Sequence, residues 1–136
     1  RIGIGEEADT FSPHDDLFKK IKTHLAQGPV ACAFIDEAQF FDDLHEFILR
    51  CEKDSKHVII AGLDGDFERR PFGQILQCIP LCDSVVKLTA MDMVDQDGSP
   101  AIFTKRISTE KSQVCVGAQN KYIAVSRKNY LVSVSD

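Results

Sequence analysis

Apolar and polar positions change places along this chain with two periods. Leu17, Phe18, Ile21 and Leu25 share one face at helical spacing. Ser12-Pro13-His14-Asp15 ahead of them has the proline and early acid of a helix start, and Gly28-Pro29 stops the helix. Val30 to Ile35 is a short apolar run between Pro29 and Asp36, the signature of a fully buried parallel strand. Phe40, Phe41, Leu44, Phe47, Ile48 and Cys51 predict an amphipathic helix over 40–51. Val58 to Leu63 predicts a second buried strand ending at Asp64-Gly65. Residues 72–79 predict a short helix closed by Pro80, and Val85 to Leu88 a third strand. Strands alternating with helices predict an α/β core over residues 1–90, a parallel sheet covered on both faces. After Ala90 the texture turns polar and turn-rich. Ala101 to Ile107, Tyr122 to Val125 and Tyr130 to Val134 predict short strands in a loop-rich β subdomain over 91–136. No internal repeat or low-complexity tract occurs.

Composition narrows the classes of function. The 136 residues are enough for one continuous core, and 43% hydrophobic with 27% charged residues is ordinary for a globular domain. A formal charge of −5 argues against binding a nucleic-acid polymer, which needs clustered Lys and Arg, but leaves room for a single nucleotide. No apolar stretch reaches the roughly 18 residues of a membrane span. Residues 1–16 are mixed and acidic, without the apolar centre of a signal peptide. The cysteines at 32, 51, 78, 82 and 115 are odd in number and irregularly spaced, which predicts reduced, buried thiols in a cytoplasmic protein. Cys78 and Cys82 form a C-x3-C pair, a weak metal spacing with no second pair nearby. The chain lacks an initiator Met and opens on Arg-Ile-Gly-Ile as if already inside a strand, so it reads as a fragment or processed chain.

Three segments carry candidate chemistry. Asp36-Glu37 follows the first buried strand, at the carboxyl edge where open parallel sheets bind ligands. An acid there can hold Mg²⁺, and a second beside it can accept a proton from an attacking hydroxyl. A solvated helix entry is the plain alternative. Leu63 to Gly73 follows the next strand and overhangs the same edge. Its Phe67 and Phe72 either tuck back onto the core or wall an aromatic pocket for a planar ligand. Phe103-Thr104-Lys105-Arg106, with Val114-Cys115-Val116-Gly117 and Lys121-Tyr122, is either a plain surface hairpin or a loop whose backbone hydrogen-bonds the edges of a base.

These residues together resemble the type II thymidine kinases, the cytosolic, viral and bacterial group. Ile35-Asp36-Glu37-Ala38-Gln39-Phe40-Phe41 is similar to the family's Asp-Glu-x-Gln-Phe-Phe signature. Leu63 to Gly73 is similar to its Leu-Asp-Gly-x-Phe-x-Arg-x-Pro-Phe-Gly loop, and Val85 to Ala90 to its Val-Val-Lys-Leu-Thr-Ala strand. Thr104-Lys105-Arg106 and Gly117 to Tyr122 resemble its thymidine-enclosing lasso. The resemblance implies a P-loop-NTPase-like parallel sheet with a β lasso, and transfer of the γ-phosphoryl of ATP to thymidine for nucleotide salvage and DNA synthesis. It implies Asp36 at Mg-ATP and Glu37 as general base. Phe40, Leu63, Phe67 and Phe72 would line the base pocket, Thr104 and Tyr122 would sit beside base or sugar, and the backbone from Cys115 to Gly117 would read the base. The partner is thymidine or a related pyrimidine deoxynucleoside, in a homo-oligomer or a pairing with an active kinase domain.

The chain departs from the family pattern twice. No Gly-x-x-x-x-Gly-Lys-Ser/Thr loop is present to grip phosphates, so this chain by itself is expected to be inactive. The family's four zinc cysteines are matched by Asp92, Asp95, Ser126 and Asn129, so no zinc is expected. A catalytically silent structural or regulatory domain, and a nucleoside-binding module without transfer, stand beside the kinase reading.

Overall fold

The computed structural model describes residues 2–4, 7–9, 16–19, 31–107 and 121–132. Strands β1 (Ile2–Ile4), β2 (Glu7–Asp9), β3 (Cys32–Ile35) and β4 (His57–Ile60) form one sheet in the order β2-β1-β3-β4. The architecture is mixed helix and strand, in keeping with the α/β expectation. The sheet is not parallel throughout. β3 and β4 are parallel, as a crossover through a helix allows, whereas β1 runs antiparallel to both β2 and β3. Only two residues separate β1 from β2, and so short a connection suits an antiparallel pair.

Two units divide the chain: residues 1–64 with 71–85, and residues 65–70 with 86–136. In the first unit, the helix expected over 40–51 is split. A single 3-10 turn, Ala38–Phe40, precedes helix α1 (Leu44–Lys53), because Phe41 is extended and Asp42-Asp43 interrupt the apolar spacing. Helix α1 buries Leu44, Phe47 and Cys51 against Ala33 and Ile35 of β3. Val58 and Ile60 of β4 and Ile75 of helix α2 (Ile75–Cys78) pack on the same cluster. Each fully buried Leu, Ile or Phe contributes about 1.5–3 kcal/mol. Residues 17–19 are helical and Leu17 is buried in this core; the rest of the helix expected to 25 lies outside the described residues.

The expectation of a sheet buried on both faces does not hold for β3 and β4. Phe34 and Ile59 are partners in the ladder, and each is 54% exposed. Helices α1 and α2 cover only the Ile35 face. The strand expected at 85–88 is likewise not formed: residues 84–89 belong to no ladder, and Val86 and Leu88 are 77% and 84% exposed. An apolar run becomes a strand only where a neighbouring backbone takes up its N–H and C=O groups.

In the second unit, β5 (Ala90–Met91) pairs with β6 (Pro100–Ala101), and β7 (Phe103–Arg106) with β8 (Tyr122–Val125), both antiparallel. The strand expected at 130–134 is instead helix α3 (Arg127–Leu131), with 133–136 outside the described residues. Ser126 is its N-cap and accepts a hydrogen bond from the Asn129 amide at 3.3 Å, a start signal stronger than the apolar pattern after it. All four described cysteines are free thiols. Cys51 and Cys78 are buried as expected, but Cys82 is exposed, and Cys32 is half-buried on the same side of β3 as the exposed Phe34.

Candidate functional site

The first unit places Asp36 and Glu37 directly after β3, both exposed. Glu37 is left-handed, with φ at 53°, a conformation an L-residue holds only when its surroundings enforce it. Three contacts enforce it. The Asp36 carboxylate accepts the Glu37 amide at 2.9 Å. The Ala38 amide donates to the Ala61 carbonyl at 3.0 Å, tying the turn to the chain leaving β4. Gln39, 3% exposed, donates through Nε2 to Glu37 Oε2 at 2.7 Å and accepts the Leu63 amide through Oε1 at 3.1 Å. Gln39 thereby aims the Glu37 carboxylate and anchors Leu63. Its place in the signature was visible in the sequence, but its reach of 24 residues to Leu63 was not.

Two glycines permit this closeness. A Cβ on Gly62 would lie 2.5 Å from Gln39 Oε1, and one on Gly73 would lie 2.1 Å from the Gln39 carbonyl oxygen. Gly73 also has φ at 58°. Of the pocket residues assigned by resemblance to this unit, Phe40 and Phe72 meet edge to face at 5.6 Å, Phe72 is buried, and Leu63 is 44% exposed. The thiol of Cys78 is pushed up to about 11 by burial and then by the nearby Cys82, so it is no nucleophile at neutral pH.

The second unit holds Phe67, Thr104 and Tyr122. Asp66, 5% exposed, organises the loop: its Oδ1 accepts the amides of Glu68 and Arg70, each at 2.9 Å. The Tyr130 hydroxyl donates to the Phe67 carbonyl at 2.7 Å. The guanidinium of Arg106 lies 3.9 Å from the centre of the Phe67 ring and 5.0 Å from that of Tyr122. It also donates to the Tyr122 hydroxyl. Arg106 and Tyr122 are opposite one another in the β7–β8 ladder, and Thr104 is paired with Ala124. Arg106 has no role in the sequence pattern beyond its place in Thr104-Lys105-Arg106; its position over two aromatic rings depends on the fold. Cys115 and Gly117 lie outside the described residues.

At the four positions matched to zinc cysteines, the side chains are hydrogen-bonded to one another. Asp92, 1% exposed, accepts the Ser126 amide at 2.6 Å and Asn129 Nδ2 at 2.9 Å, and Asn129 Nδ2 also reaches Asp95 at 3.0 Å. The Asp95 and Ser126 amides, in that order, hold the Asp92 carboxyl well below the usual carboxylate range. Among the described residues no group of three or more His, Cys, Asp and Glu is placed to hold a metal ion. Nor is any helix among them long and apolar enough to cross a membrane.

A family model described as thymidine kinase matches residues 1–130. The chain is 48% identical over 98 residues to a thymidine kinase of Oryza sativa subsp. japonica, covering 71% of this chain and 35% of that protein. It is 46% identical over 106 residues to the cytosolic thymidine kinase of Homo sapiens, covering 78% and 44%. To a thymidine kinase of Monkeypox virus it is 48% identical over 99 residues, covering 73% and 55%. The chain thus spans between 35% and 55% of the length of these relatives.

Proposed function

Because the chain belongs to the thymidine kinase family, we propose that it forms the nucleoside side of an enzyme that transfers the γ-phosphoryl of ATP to the 5′-hydroxyl of thymidine or a related pyrimidine deoxynucleoside. The observation that carries this reading is the Glu37 carboxylate, held on a left-handed residue and aimed by the buried amide of Gln39. Glu37 takes the proton of the 5′-hydroxyl as that oxygen bonds to phosphorus, and ADP leaves with the bridging oxygen. Gln39 keeps the carboxylate in place without competing for its proton, since an amide is not a base at neutral pH. Asp36, a hard oxygen donor at the end of β3, fits Mg²⁺, which when bound neutralises phosphate charge. No residues here fit the phosphates themselves, because no phosphate loop occurs in these 136 residues.

On this reading the grip on triphosphate comes from other residues than these 136, in the same protein or in a companion kinase domain. Two features support a P-loop-like sheet completed by a further strand and helix. β4 is the last strand of its sheet, and the Phe34–Ile59 face is open and apolar. In the second unit, the β7–β8 hairpin with Thr104 and Tyr122 acts as the lasso subdomain at the base and sugar. The reaction serves nucleotide salvage in the cytoplasm, in an oligomer or beside an active kinase domain.

The test is Glu37→Gln in the full-length protein. Turnover should fall roughly 10²–10⁴-fold, as loss of a general base does. Thymidine affinity, read by calorimetry, should stay within a few-fold. Turnover near wild type would remove Glu37 from the reaction. Thymidine binding by the wild type without any turnover would assign the chain to a nucleoside-binding or silent domain.

A further inference from the structure

In a family that pins this region with four cysteines, Asp92, Asp95, Ser126 and Asn129 must either hold a metal by other donors or do without one. Their hydrogen bonds decide between the two. A metal ion needs lone pairs aimed at a common empty point. Here the lone pairs are directed at N–H groups. Oδ2 of Asp92 accepts from the amides of Val94 at 3.1 Å and Asp95 at 2.7 Å as well as from Asn129, while its Oδ1 takes the Ser126 amide. The side chain of Asn129, 7% exposed, lies between the two carboxylates and donates to both. Two acceptor carboxylates require the NH₂ end of that amide to face them, since its oxygen would be repelled by both. The donor set therefore does not fit zinc, and the centre of the cluster is occupied by an amide nitrogen.

The cluster also has a mechanical reach. It joins the turn after β5 to Ser126, the residue that follows β8 and caps α3. Met93 adds a backbone bond to Ala124 of β8 at 2.9 Å. β8 carries Tyr122, and α3 carries Tyr130, whose hydroxyl holds the Phe67 carbonyl.

We propose that a metal-independent hydrogen-bond clasp closes this unit, with the Asn129 amide standing between Asp92 and Asp95 where a metal would stand, and that the clasp positions Tyr122 through β8. Asn129 is thus a positioning residue rather than a catalytic one. The effect on nucleoside binding rests on the function proposed above; the metal independence does not.

The experiment compares full-length wild type with Asn129→Asp and Asn129→Ala. Exposure of the wild type to EDTA and 1,10-phenanthroline should leave its Tm unchanged, and millimolar Ca²⁺ should not raise it. Asn129→Asp sets a third carboxylate facing two others. Its Tm should fall by roughly 5–10 °C, and Ca²⁺, now given oxygen ligands in place of the amide, should restore most of the loss. Asn129→Ala, which loses the donors without adding charge, should melt a few degrees low and show no cation response. It should also raise KM for thymidine about fivefold, the value of one or two hydrogen bonds, with kcat within twofold. Loss of wild-type Tm on chelation would overturn the proposal. So would Asn129→Ala with wild-type Tm and KM, whatever the fate of Asn129→Asp. A wild type that turns over no thymidine would defeat the nucleoside reading, leaving the chelator and Ca²⁺ measurements to judge the clasp.

Discussion

The two units are held together by different forces. In the first, the interior is Leu44, Phe47, Ile35 and their neighbours, with polar contacts at the turn after β3 and at the surface of α1. In the second, Val125 and Ala101 are the buried apolar side chains among the described residues of 86–132, and carboxylates, guanidinium groups and aromatic rings make most of its side-chain contacts. Asp66 organises a loop, Asp92 a clasp, and Arg69, Arg106 and Arg127 lie over aromatic rings. Apolar burial is non-directional and tolerates small shifts. Hydrogen bonds depend on direction and, like cation–π contacts, are lost with a single functional group. The second unit is therefore the one whose geometry can be changed without emptying a core. Its spectroscopic handle is separate too: the chain has two tyrosines and no tryptophan, and Tyr122 and Tyr130 are both in that unit.

The sharpest test of this contrast is Phe47→Ala. Phe47 is 2% exposed, and its loss leaves a cavity costing about 3–5 kcal/mol. The far-UV transition should move to lower denaturant by that amount. If it moves by less than 1 kcal/mol, the first unit is not held by its apolar core. Next is Gly73→Ala, which combines a left-handed backbone with a Cβ driven into the Gln39 carbonyl. Relief requires moving Gln39, so about 1–3 kcal/mol of strain should come with a loss of turnover in the full-length protein. Unchanged activity would show that Gln39 does not aim Glu37. In the second unit, Asp66→Ala leaves two loop amides without their acceptor, for about 1–3 kcal/mol. The tyrosine near-UV signal, rather than the far-UV signal, should report it.

Acid separates the units differently. The Asp92 carboxyl is lowered in the fold, so its contribution is fully present above the ordinary carboxylate range and is lost as pH falls below about 4. The tyrosine signal should acquire a falling limb there that Asp92→Asn removes, at the expense of lower stability at neutral pH. Equal acid slopes for wild type and Asp92→Asn would deny the clasp its ionised acceptor.

This division of forces also governs what could be read from the sequence. The β3–β4 pair and the buried face of α1 follow from apolar runs and from spacing at 44, 47 and 51, because burial of a side chain is recorded in its own identity. The run at 85–88, Val-Val-Lys-Leu, is apolar at three of its four positions yet forms no ladder, because a strand depends on a neighbour that composition does not name. Helix α3 was legible in Ser126, an N-cap residue, but the apolar residues that follow pointed to a strand. In the candidate site the signature identified Asp36 and Glu37. The left-handed turn and the amide of Gln39 that fix them depend on contacts 24 residues away. The clasp joins residues up to 37 apart through polar side chains, a pattern with no period at all.

The smallest effects concern arginines, and they set the two units directly against each other. Arg50 in α1 pairs with Asp54 at 3.1 Å, with side chains 63% and 42% exposed. Such an i,i+4 pair is worth about 0.3–0.5 kcal/mol at low salt and less at high salt. Arg106 lies half-buried against Phe67 and Tyr122, where a flat guanidinium covers the rings in a way an ammonium does not. Arg106→Lys should therefore cost about 0.5–1 kcal/mol, and the cost should persist in 1 M salt because contact with the rings is little screened. Arg50→Ala should cost less, and the difference should vanish in the same salt. If both substitutions respond to salt alike, Arg106 acts only as a surface charge, and the cation-stacked description of the second unit fails at its centre.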